Sequence, residues 1–402
     1  MLDEVPEDAD HFLTSLYVHN AFAVRDLEIP IAKDGQRRHL LLTGPNGSGK
    51  STILRGVFKS IVQGNPSDVD HLQAAEANAQ IVGVQLDRHS LEPEQRASLE
   101  KDRAGYLSEI QKPDPKPLVK AVGVPWDYDS SRAILALVPA NRALRLNQPE
   151  GPRLLVVESH YISRASNLLQ FLVNLRTEQA YAREDGDDAA ADAIGRRFDD
   201  FRTFLGQILE DDHARLDFDR ASFEFRIILR DERRISFEQL PDGVSSILYI
   251  WAELNLRADN LRRNGVFDPP GWLLIDEPEL HLHARLQETV LPFLINMFPN
   301  VQFIVATHSP AVLASISDAT IFDLGSRQAI DSADLQGIRY GTILTEHFGI
   351  ETDLEIRVRR ARRSAKVDEE AERKLRAVLS RRAPFTMLMR SLVDPSLRDL
   401  FD

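Results

Sequence analysis

The chain of 402 residues is long enough for two or three domains, and its formal net charge of −13 argues against a protein that is basic over its whole surface. It contains no cysteine, which excludes disulfides, thiolate zinc sites and cysteine nucleophiles. No apolar run approaches the ~20 residues that a membrane-spanning helix needs, and residues 1–10 are acidic, unlike a secretion signal, so we expect a cytoplasmic protein.

Predicted strands open the chain and lead into a glycine-rich loop. Residues 12–18 and 23–29 alternate apolar and polar side chains and predict a pair of strands, and the leucines at 40–42 are typical of a buried strand. Residues 44–52 read G-P-N-G-S-G-K-S-T, which fits the G-x-x-x-x-G-K-[ST] phosphate-binding loop of nucleotide triphosphatases. Apolar residues within 53–58 continue as a helix, so the motif has the strand–loop–helix setting that it requires.

This loop predicts a site for ATP and Mg²⁺. Its glycines let successive backbone N–H groups point at phosphate oxygens, and the N-terminus of the following helix adds positive potential. We expect Lys50 to bridge the β- and γ-phosphates and the Ser51 hydroxyl to bind Mg²⁺. Tyr17 or Phe22 could stack on the adenine, although an aromatic at such a place more often belongs to the core. The predicted nucleotide-binding residues of the loop are Gly44, Pro45, Asn46, Gly47, Ser48, Gly49, Lys50, Ser51 and Thr52.

The pattern weakens after residue 64. Residues 81–86 suggest a strand, residues 93–111 a charged helix, and residues 118–124 and 133–138 two further strands. Arg142 follows the last of these strands, and from there it could reach a phosphate or form a simple surface ion pair; the sequence leaves both open.

Two amphipathic helices around the polar turn at 184–188 then predict a helical hairpin of about fifty residues, whose aromatic stripe belongs to the core. We therefore divide the chain into an N-terminal part of the ATPase core (1–60), a mixed α/β insertion with core strands (61–160), the hairpin (161–212), a C-terminal part of the core (213–325) and a basic helical extension (326–402).

The second half supplies acidic and imidazole groups at strand ends. Residues 272–277 are an apolar strand that ends in Asp276 and Glu277. We expect Asp276 to hold the magnesium, directly or through water, and Glu277 to act as general base on the attacking water. Another apolar strand, 301–308, ends in His308, which could bond the γ-phosphate and help to place that water. Each group alone could be structural. Three strand ends that carry the phosphate loop, Asp276–Glu277 and His308 in this order make coincidence unconvincing.

Together these motifs resemble those of ABC-type ATPases of the SMC/RecF/OLD group, including ATPases of bacterial anti-phage defence systems. The resemblance rests on the phosphate loop, on I-D-E-P-E-L-H-L-H at 275–283 and on A-T-H-S-P at 306–310. It implies an α/β ABC-type ATPase head, a mixed sheet with flanking helices, that pairs head to tail around two ATP molecules. His281 and His283 could suggest a metal pair, but the resemblance places them in a loop that crosses to the partner subunit.

ATPases of this kind use a second motif, at a helix N-terminus, to cap ATP bound to the other subunit. The corresponding stretch here is Leu240–Ser246. It keeps Gly243 and the helix start, and Ser245 or the helix N–H groups could meet the neighbour's γ-phosphate. Pro241 and Val244 depart from the usual serine and glutamine, which puts efficient hydrolysis in doubt. A plain capped helix after a turn is the structural alternative.

The C-terminal residues 326–402 carry arginine and lysine clusters at 357–366 and 373–382 and have no clustered acidic motif of the kind found in OLD nucleases. These clusters could form a face for DNA or a partner protein, or a solvated or subunit-pairing helix. The effector, a nuclease or toxin, is therefore expected to be a separate polypeptide. We expect an ATPase subunit of an anti-phage defence complex; the alternative is a RecF/SMC-like DNA repair or maintenance ATPase that clamps DNA.

Overall fold

The computed structural model describes residues 12–63, 82, 85–86, 93–111, 118–123, 132–155, 163–263, 266 and 268–336. The strands of this part are Ser15–Ala21 (β1), Val24–Pro30 (β2), His39–Thr43 (β3), Leu118–Val122 (β4), Ile134–Val138 (β5), Arg215–Asp219 (β6), Glu224–Ile228 (β7), Arg234–Ile235 (β8), Gly271–Asp276 (β9), Val301–Ala306 (β10), Ala319–Asp323 (β11) and Gln328–Asp331 (β12). Its α-helices are Lys50–Gln63 (α1), Pro93–Gln111 (α2), Leu168–Glu184 (α3), Asp188–Leu209 (α4), Asp242–Arg263 (α5), Ala284–Met297 (α6) and Pro310–Leu313 (α7).

The largest sheet of the described residues has the strand order β12-β11-β3-β10-β9-β5. Its strands run parallel except β12, which pairs antiparallel with β11. β3, β9 and β10 are buried at every residue, as expected for parallel strands covered on both faces. In register, Ala306 of β10 lies between Leu42 of β3 and Asp276 of β9. The segments that follow these three strands therefore meet at one edge of the sheet, and the predicted α/β fold is confirmed.

Helix α1 lies between this sheet and a second, antiparallel sheet with the order β2-β1-β4. Its buried residues Ile53, Leu54 and Val57 share one core with Leu16 of β1 and Leu40 of β3. Full burial of each such side chain stabilises the fold by about 1.5–3 kcal/mol. The predicted pairing of the first two strands is confirmed, and the helix that follows the phosphate loop is held by both sheets.

The two helices predicted for the hairpin form as α3 and α4, and they pack on α5. Trp251 of α5 stacks on Phe201 and Phe204 of α4, with ring centroids 4.5 and 5.1 Å apart. Such pairs add about 0.5–1.5 kcal/mol beyond their buried area. Arg197 of α4 donates to the Asp259 carboxylate of α5 at 2.6 Å, so a polar contact supplements this apolar one. The aromatic stripe is core, as predicted, and the small antiparallel sheet β6-β7-β8 follows the hairpin.

Buried polar side chains tie β10 to the residues before β1 and β3. Gln302 accepts the Leu13 N–H at 2.7 Å and donates to the carbonyls of Leu13 and Arg38 at 2.9 and 2.7 Å. The buried His39 accepts the Phe303 N–H through Nδ1 at 3.0 Å. Burial, followed by the positive charge of Arg37, lowers the pKa of His39 to about 4. His39 is therefore neutral at pH 7 and acts as an acceptor in the core.

The strand expected at 81–86 is wrong, because the residues described there, Val82, Gln85 and Leu86, are helical. A short apolar run does not distinguish a strand from a helix turn. The clusters expected at 357–366 and 373–382 lie outside the described residues. No described helix combines the length with the apolar character that crossing a bilayer requires.

Candidate nucleotide-binding site

The loop between β3 and α1 has the backbone that its glycines predict. Gly44, Gly47 and Gly49 adopt φ of 136°, 77° and 100°, a region open to glycine but strained for other residues. A Cβ on Gly49 would also lie 2.7 Å from the Ala21 carbonyl oxygen, so the loop packs tightly against the end of β1. Ser51 and Thr52 are half-buried in the first turn of α1.

Lys50 is buried at the start of α1. Its Nζ donates to the carbonyl oxygens of Gly44 at 3.0 Å and Pro45 at 3.1 Å, so the side chain folds back over the loop. Burial lowers the pKa of Lys50, and the negative charges of Glu277 and Asp276 oppose this shift most strongly. The two carboxylates predicted from the second half of the chain are therefore electrostatic neighbours of the lysine.

Asp276 ends β9 and is buried. Among the described residues, no hydrogen-bond partner reaches its Oδ1 atom. A buried polar atom without a partner costs about 1–3 kcal/mol, and such atoms concentrate at sites that bind a ligand or an ion. The predicted ligands, a carboxylate oxygen of Asp276 and the Ser51 hydroxyl in the first turn of α1, are oxygen-only and fit a hard cation such as Mg²⁺.

Glu277 adopts the left-handed conformation, with φ of 49°. This costs a residue with a Cβ atom about 1–2 kcal/mol. Its N–H donates to the Ala306 carbonyl of β10 at 2.8 Å, so the ladder between β9 and β10 continues one residue past the strand while the chain turns away. Backbone strain of this kind is common at functional sites.

The loops after β9 and β10 are joined by Glu279. Its Oε1 accepts the backbone N–H of His308 at 2.7 Å, and its Oε2 is buried without a partner among the described residues. Sequence reasoning gave Glu279 no role; the available signal was a second acid two residues after Glu277 in a motif already singled out. His308 itself is exposed. Partial desolvation, followed by the charge of Lys50, lowers the pKa of His308, which favours the neutral imidazole at pH 7.

Arg142 has neither of the roles that the sequence left open. Its guanidinium group donates to backbone carbonyls of the loop after β9 and to the Ser246 hydroxyl of α5. It is thus a scaffold for the acidic loop rather than a surface ion pair.

Phe22, in the turn between β1 and β2, is 73% exposed and has φ of 59°. A Cβ on Gly47 would lie 3.8 Å from Cε1 of its ring, so the ring lies beside the phosphate loop. Tyr17 is half-buried within β1. Of the two aromatic candidates, Phe22 is therefore the one with a free ring face at the loop, and the expectation that it belongs to the core is wrong.

Asp323 is a second carboxylate that the sequence did not single out. It ends β11, is buried, and accepts the N–H groups of Gly325 and Ser326 at 3.0 and 3.1 Å. A Cβ on Gly44 would lie 3.2 Å from Asp323 Oδ1, so this acid supports the loop from the side opposite β10.

The two residues predicted to cap a neighbour's ATP lie in the first turn of α5. Gly243 is buried against its own chain, because a Cβ there would lie 2.5 Å from the His281 carbonyl oxygen. Ser245 is half-buried, and the exposed Asp242 adds a negative charge to the same turn. Packing thus explains Gly243 without a phosphate. Ser245 keeps the more open position.

His281 and His283, in the loop between β9 and α6, are exposed. The Nε2 atom of His283 lies 3.6 Å from Oε1 of Glu210, at the end of α4. Among the described residues, no group of three His, Asp or Glu side chains could hold a metal ion.

The comparisons with known proteins agree with this site. Residues 236–314, which include α5, Asp276, Glu277 and His308, match the family described as "AAA domain, putative AbiEii toxin, Type IV TA system". Over 104 residues the chain is 38% identical to the Retron Ec83 probable ATPase of Escherichia coli, covering 25% of this chain and 19% of that protein. Over 117 residues it is 33% identical to Septu protein PtuA of Bacillus mycoides, covering 28% of this chain and 16% of that protein.

These matches span less than a fifth of each of those two curated relatives. The solved structure of an SMC head bound to the C-winged helix domain of ScpA is 14% identical, covers 78% of this chain and 94% of its own, and has a TM-score of 0.38. The predicted resemblance to ATPases of anti-phage defence systems is confirmed over the matched segments by the retron ATPase and the Septu protein.

Proposed function

We propose that this chain binds ATP and hydrolyses it at the edge of the central sheet where β3, β10 and β9 end. The observation that carries the proposal is the register of these three strands, which brings the phosphate loop, His308 and Asp276–Glu277 together. The electrostatic interaction of Lys50 with the carboxylates of Asp276 and Glu277 supports the same arrangement. The match of residues 236–314 to an AAA domain family supports it independently.

In this proposal the phosphate loop, Gly44–Thr52, binds the triphosphate through its backbone N–H groups and Lys50. Phe22 stacks on the base. Ser51 and Asp276 would hold Mg²⁺, which when bound supplies positive charge to the phosphates. The Oδ1 atom of Asp276, which has no partner among the described residues, is the observation that favours this ligand.

Glu277 is the proposed general base. It follows Asp276 at the end of β9, and its left-handed φ of 49° is the backbone strain found at this turn. His308, with a lowered pKa, is neutral at pH 7 and can bond both the attacking water and a phosphate oxygen. Glu277 thus accepts the proton of the attacking water, and His308 helps to orient that water.

Lys50→Ala tests the nucleotide site. It removes the cation proposed for the β- and γ-phosphates, so isothermal titration should show ATP affinity reduced by at least 100-fold, or about 2.7 kcal/mol. Lys59→Ala, at the other end of α1, is the matched control and should bind ATP like the wild type. Equal affinity of Lys50→Ala and wild type would refute the assignment of the loop.

The biological role proposed is that of an ATPase in an anti-phage defence complex. The partial similarity to a retron ATPase and to a Septu protein supports this role. In this proposal, the chain pairs with a second copy around ATP and controls a separate effector, a nuclease or toxin. Expression from the native operon, followed by native mass measurement with and without ATP, tests it. An ATP-dependent complex containing a neighbouring gene product is expected, and an unchanged single species would contradict it.

DNA is the second partner proposed, through the arginine-rich residues 357–366. If these side chains contact phosphates, DNA affinity falls steeply with salt, and replacement of four arginines flattens that dependence. Absence of DNA binding at low salt with ATP present would leave the segment as a protein-docking or structural element.

A further inference from the structure

The half-buried Arg142 spends three of its five donors on the loop that carries the proposed catalytic acids and the other two beside it. Arg142 Nη1 donates to the carbonyl oxygens of Asp276 and Pro139 at 3.0 and 3.1 Å. Its Nη2 donates to those of Glu277 and Pro278 at 3.0 and 3.1 Å. Its Nε donates to the Ser246 hydroxyl at 2.6 Å. A guanidinium group has five N–H donors, so each finds a protein acceptor and none is left for a phosphate.

Three of the five acceptors are the consecutive carbonyls of residues 276–278, at the point where the chain leaves β9. This is also where Glu277 adopts its left-handed φ of 49°. A planar fork that receives all three carbonyls fixes the direction of the peptide planes at 276–278, and with them the direction in which Glu277 leaves the backbone. A lysine at this position offers a point charge with three rotatable donors and cannot hold the same set in one plane.

The same guanidinium ties this loop to α5. Ser246 lies in the second turn of α5, one residue after Ser245. Burial lowers the pKa of Arg142 to about 10, and the nearby Glu279 and Asp276 oppose the shift. Arg142 thus stays charged at neutral pH beside the acids that it supports.

We propose that Arg142 is a positioning residue for ATP hydrolysis, which holds residues 276–278 against α5 and so sets where the Glu277 carboxylate lies. It acts through Glu277 and touches neither nucleotide nor water. This inference rests on the proposed function, because it assumes that Glu277 is the base. Since a misplacement of about 1 Å can cost roughly 100-fold in rate, loss of the guanidinium should appear in kcat and leave ATP binding nearly intact.

Arg142→Met and Arg142→Lys are the test variants, measured by steady-state hydrolysis and by ATP titration. Arg142→Met should lose about 100-fold in kcat, with the Kd for ATP within about threefold of wild type. Arg142→Lys should have a kcat between those of Arg142→Met and the wild type, because the ammonium group can donate to some of the carbonyls at 276–278 but not to all of them in one plane. If the methionine variant does not fold, the lysine variant carries the test, and its kcat should fall at least fivefold at unchanged Kd.

Arg38→Met is the matched control. Arg38 is buried. Like Arg142, it donates to a backbone carbonyl, that of Ala319, and it also donates to the Asp331 carboxylate. It precedes β3, at the end of that strand away from the phosphate loop. Arg38→Met should lower Tm while kcat of the folded enzyme stays at the wild-type value. Wild-type kcat in both Arg142 variants, or equal losses in kcat and ATP affinity, would overturn the inference. The proposed function fails separately, if Glu277→Gln turns over ATP normally in the same assay.

Discussion

Glu279 accepts the backbone N–H of His308 through Oε1 at 2.7 Å, which joins the loop after β9 to the loop after β10. The proposed base at 277 and the proposed water-orienting imidazole at 308 therefore belong to one hydrogen-bonded unit. A carboxylate that accepts a backbone N–H makes a stronger bond than a neutral acceptor does.

The first prediction concerns this bond. Glu279→Ala should lower kcat about tenfold, since His308 loses its backbone anchor, and should leave the Kd for ATP nearly unchanged. Glu279→Gln keeps an acceptor oxygen and should lose less. In a double-mutant cycle, Glu279→Ala and His308→Ala should be non-additive, because the first acts through the second. Additive losses would show that Glu279 acts independently of His308.

Phe22 provides the second prediction. Stacking of an aromatic ring on a base contributes about 1–3 kcal/mol, so Phe22→Ala should weaken ATP binding by roughly 5- to 160-fold. Phe22→Tyr preserves the ring and should bind ATP normally. Tyr17→Ala is the comparison, because Tyr17 lies half-buried within β1. If Tyr17→Ala weakens ATP binding and Phe22→Ala does not, the base lies elsewhere.

The sequence predicted those parts of the site that follow apolar strands. The phosphate loop, β9 with Asp276–Glu277 and β10 with His308 were all predicted, because each combines an apolar strand with polar residues at its end. Arg142 could not be assigned, since three of its five partners are backbone carbonyls more than 130 residues away, and carbonyls leave no signal in a sequence. Gly243 was attributed to a neighbour's phosphate, whereas the His281 carbonyl of its own chain already requires a glycine there. Contacts with backbone atoms are what the pattern of side chains does not record.

The third prediction is a dependence of stability on pH through His39. The pKa of His39 is about 4 in the folded protein and 6.5 in its ordinary state, so the unfolded chain binds more protons between these values. Stability therefore falls as pH is lowered from about 6.5 to about 4, by up to about 3 kcal/mol. Arg38 and Lys33 hold the pKa of Asp331 below its ordinary 3.8. The stability that Asp331 contributes is therefore kept in this window and is lost only as pH falls below it.

Urea unfolding at pH 7, 6 and 5 measures this dependence. His39→Asn keeps an acceptor for the Phe303 N–H but does not titrate, so its stability should fall less between pH 7 and 5 than that of the wild type. Parallel curves for the two proteins would mean that His39 does not cause the loss.

The fourth prediction tests pairing of subunits through α5. If the first turn of α5 completes a neighbour's site, specific activity should rise with protein concentration until the subunits are paired. Ser245→Glu should inactivate, because it adds a carboxylate at the proposed phosphate contact, and Ser245→Ala should not. Gly243 is unsuitable for this test, since any side chain there meets the His281 carbonyl within its own chain.

Complementation separates this outcome from misfolding. A mixed pair of Ser245→Glu and Lys50→Ala subunits contains one site with an intact phosphate loop and an intact Ser245, so mixing the two inactive proteins should restore some activity. Constant specific activity on dilution to the monomer, without complementation, would show that α5 caps no second site.

The central claim, hydrolysis of ATP with Glu277 as the base, is tested most directly by a single-turnover measurement on Glu277→Gln. The protein is mixed with a small amount of radiolabelled ATP, and bound nucleotide and released phosphate are followed in the same samples. We expect Glu277→Gln to bind ATP with wild-type affinity and to release phosphate at least 100-fold more slowly, which is within the range that general acid–base catalysis contributes. Phosphate release at the wild-type rate from this variant would contradict the account.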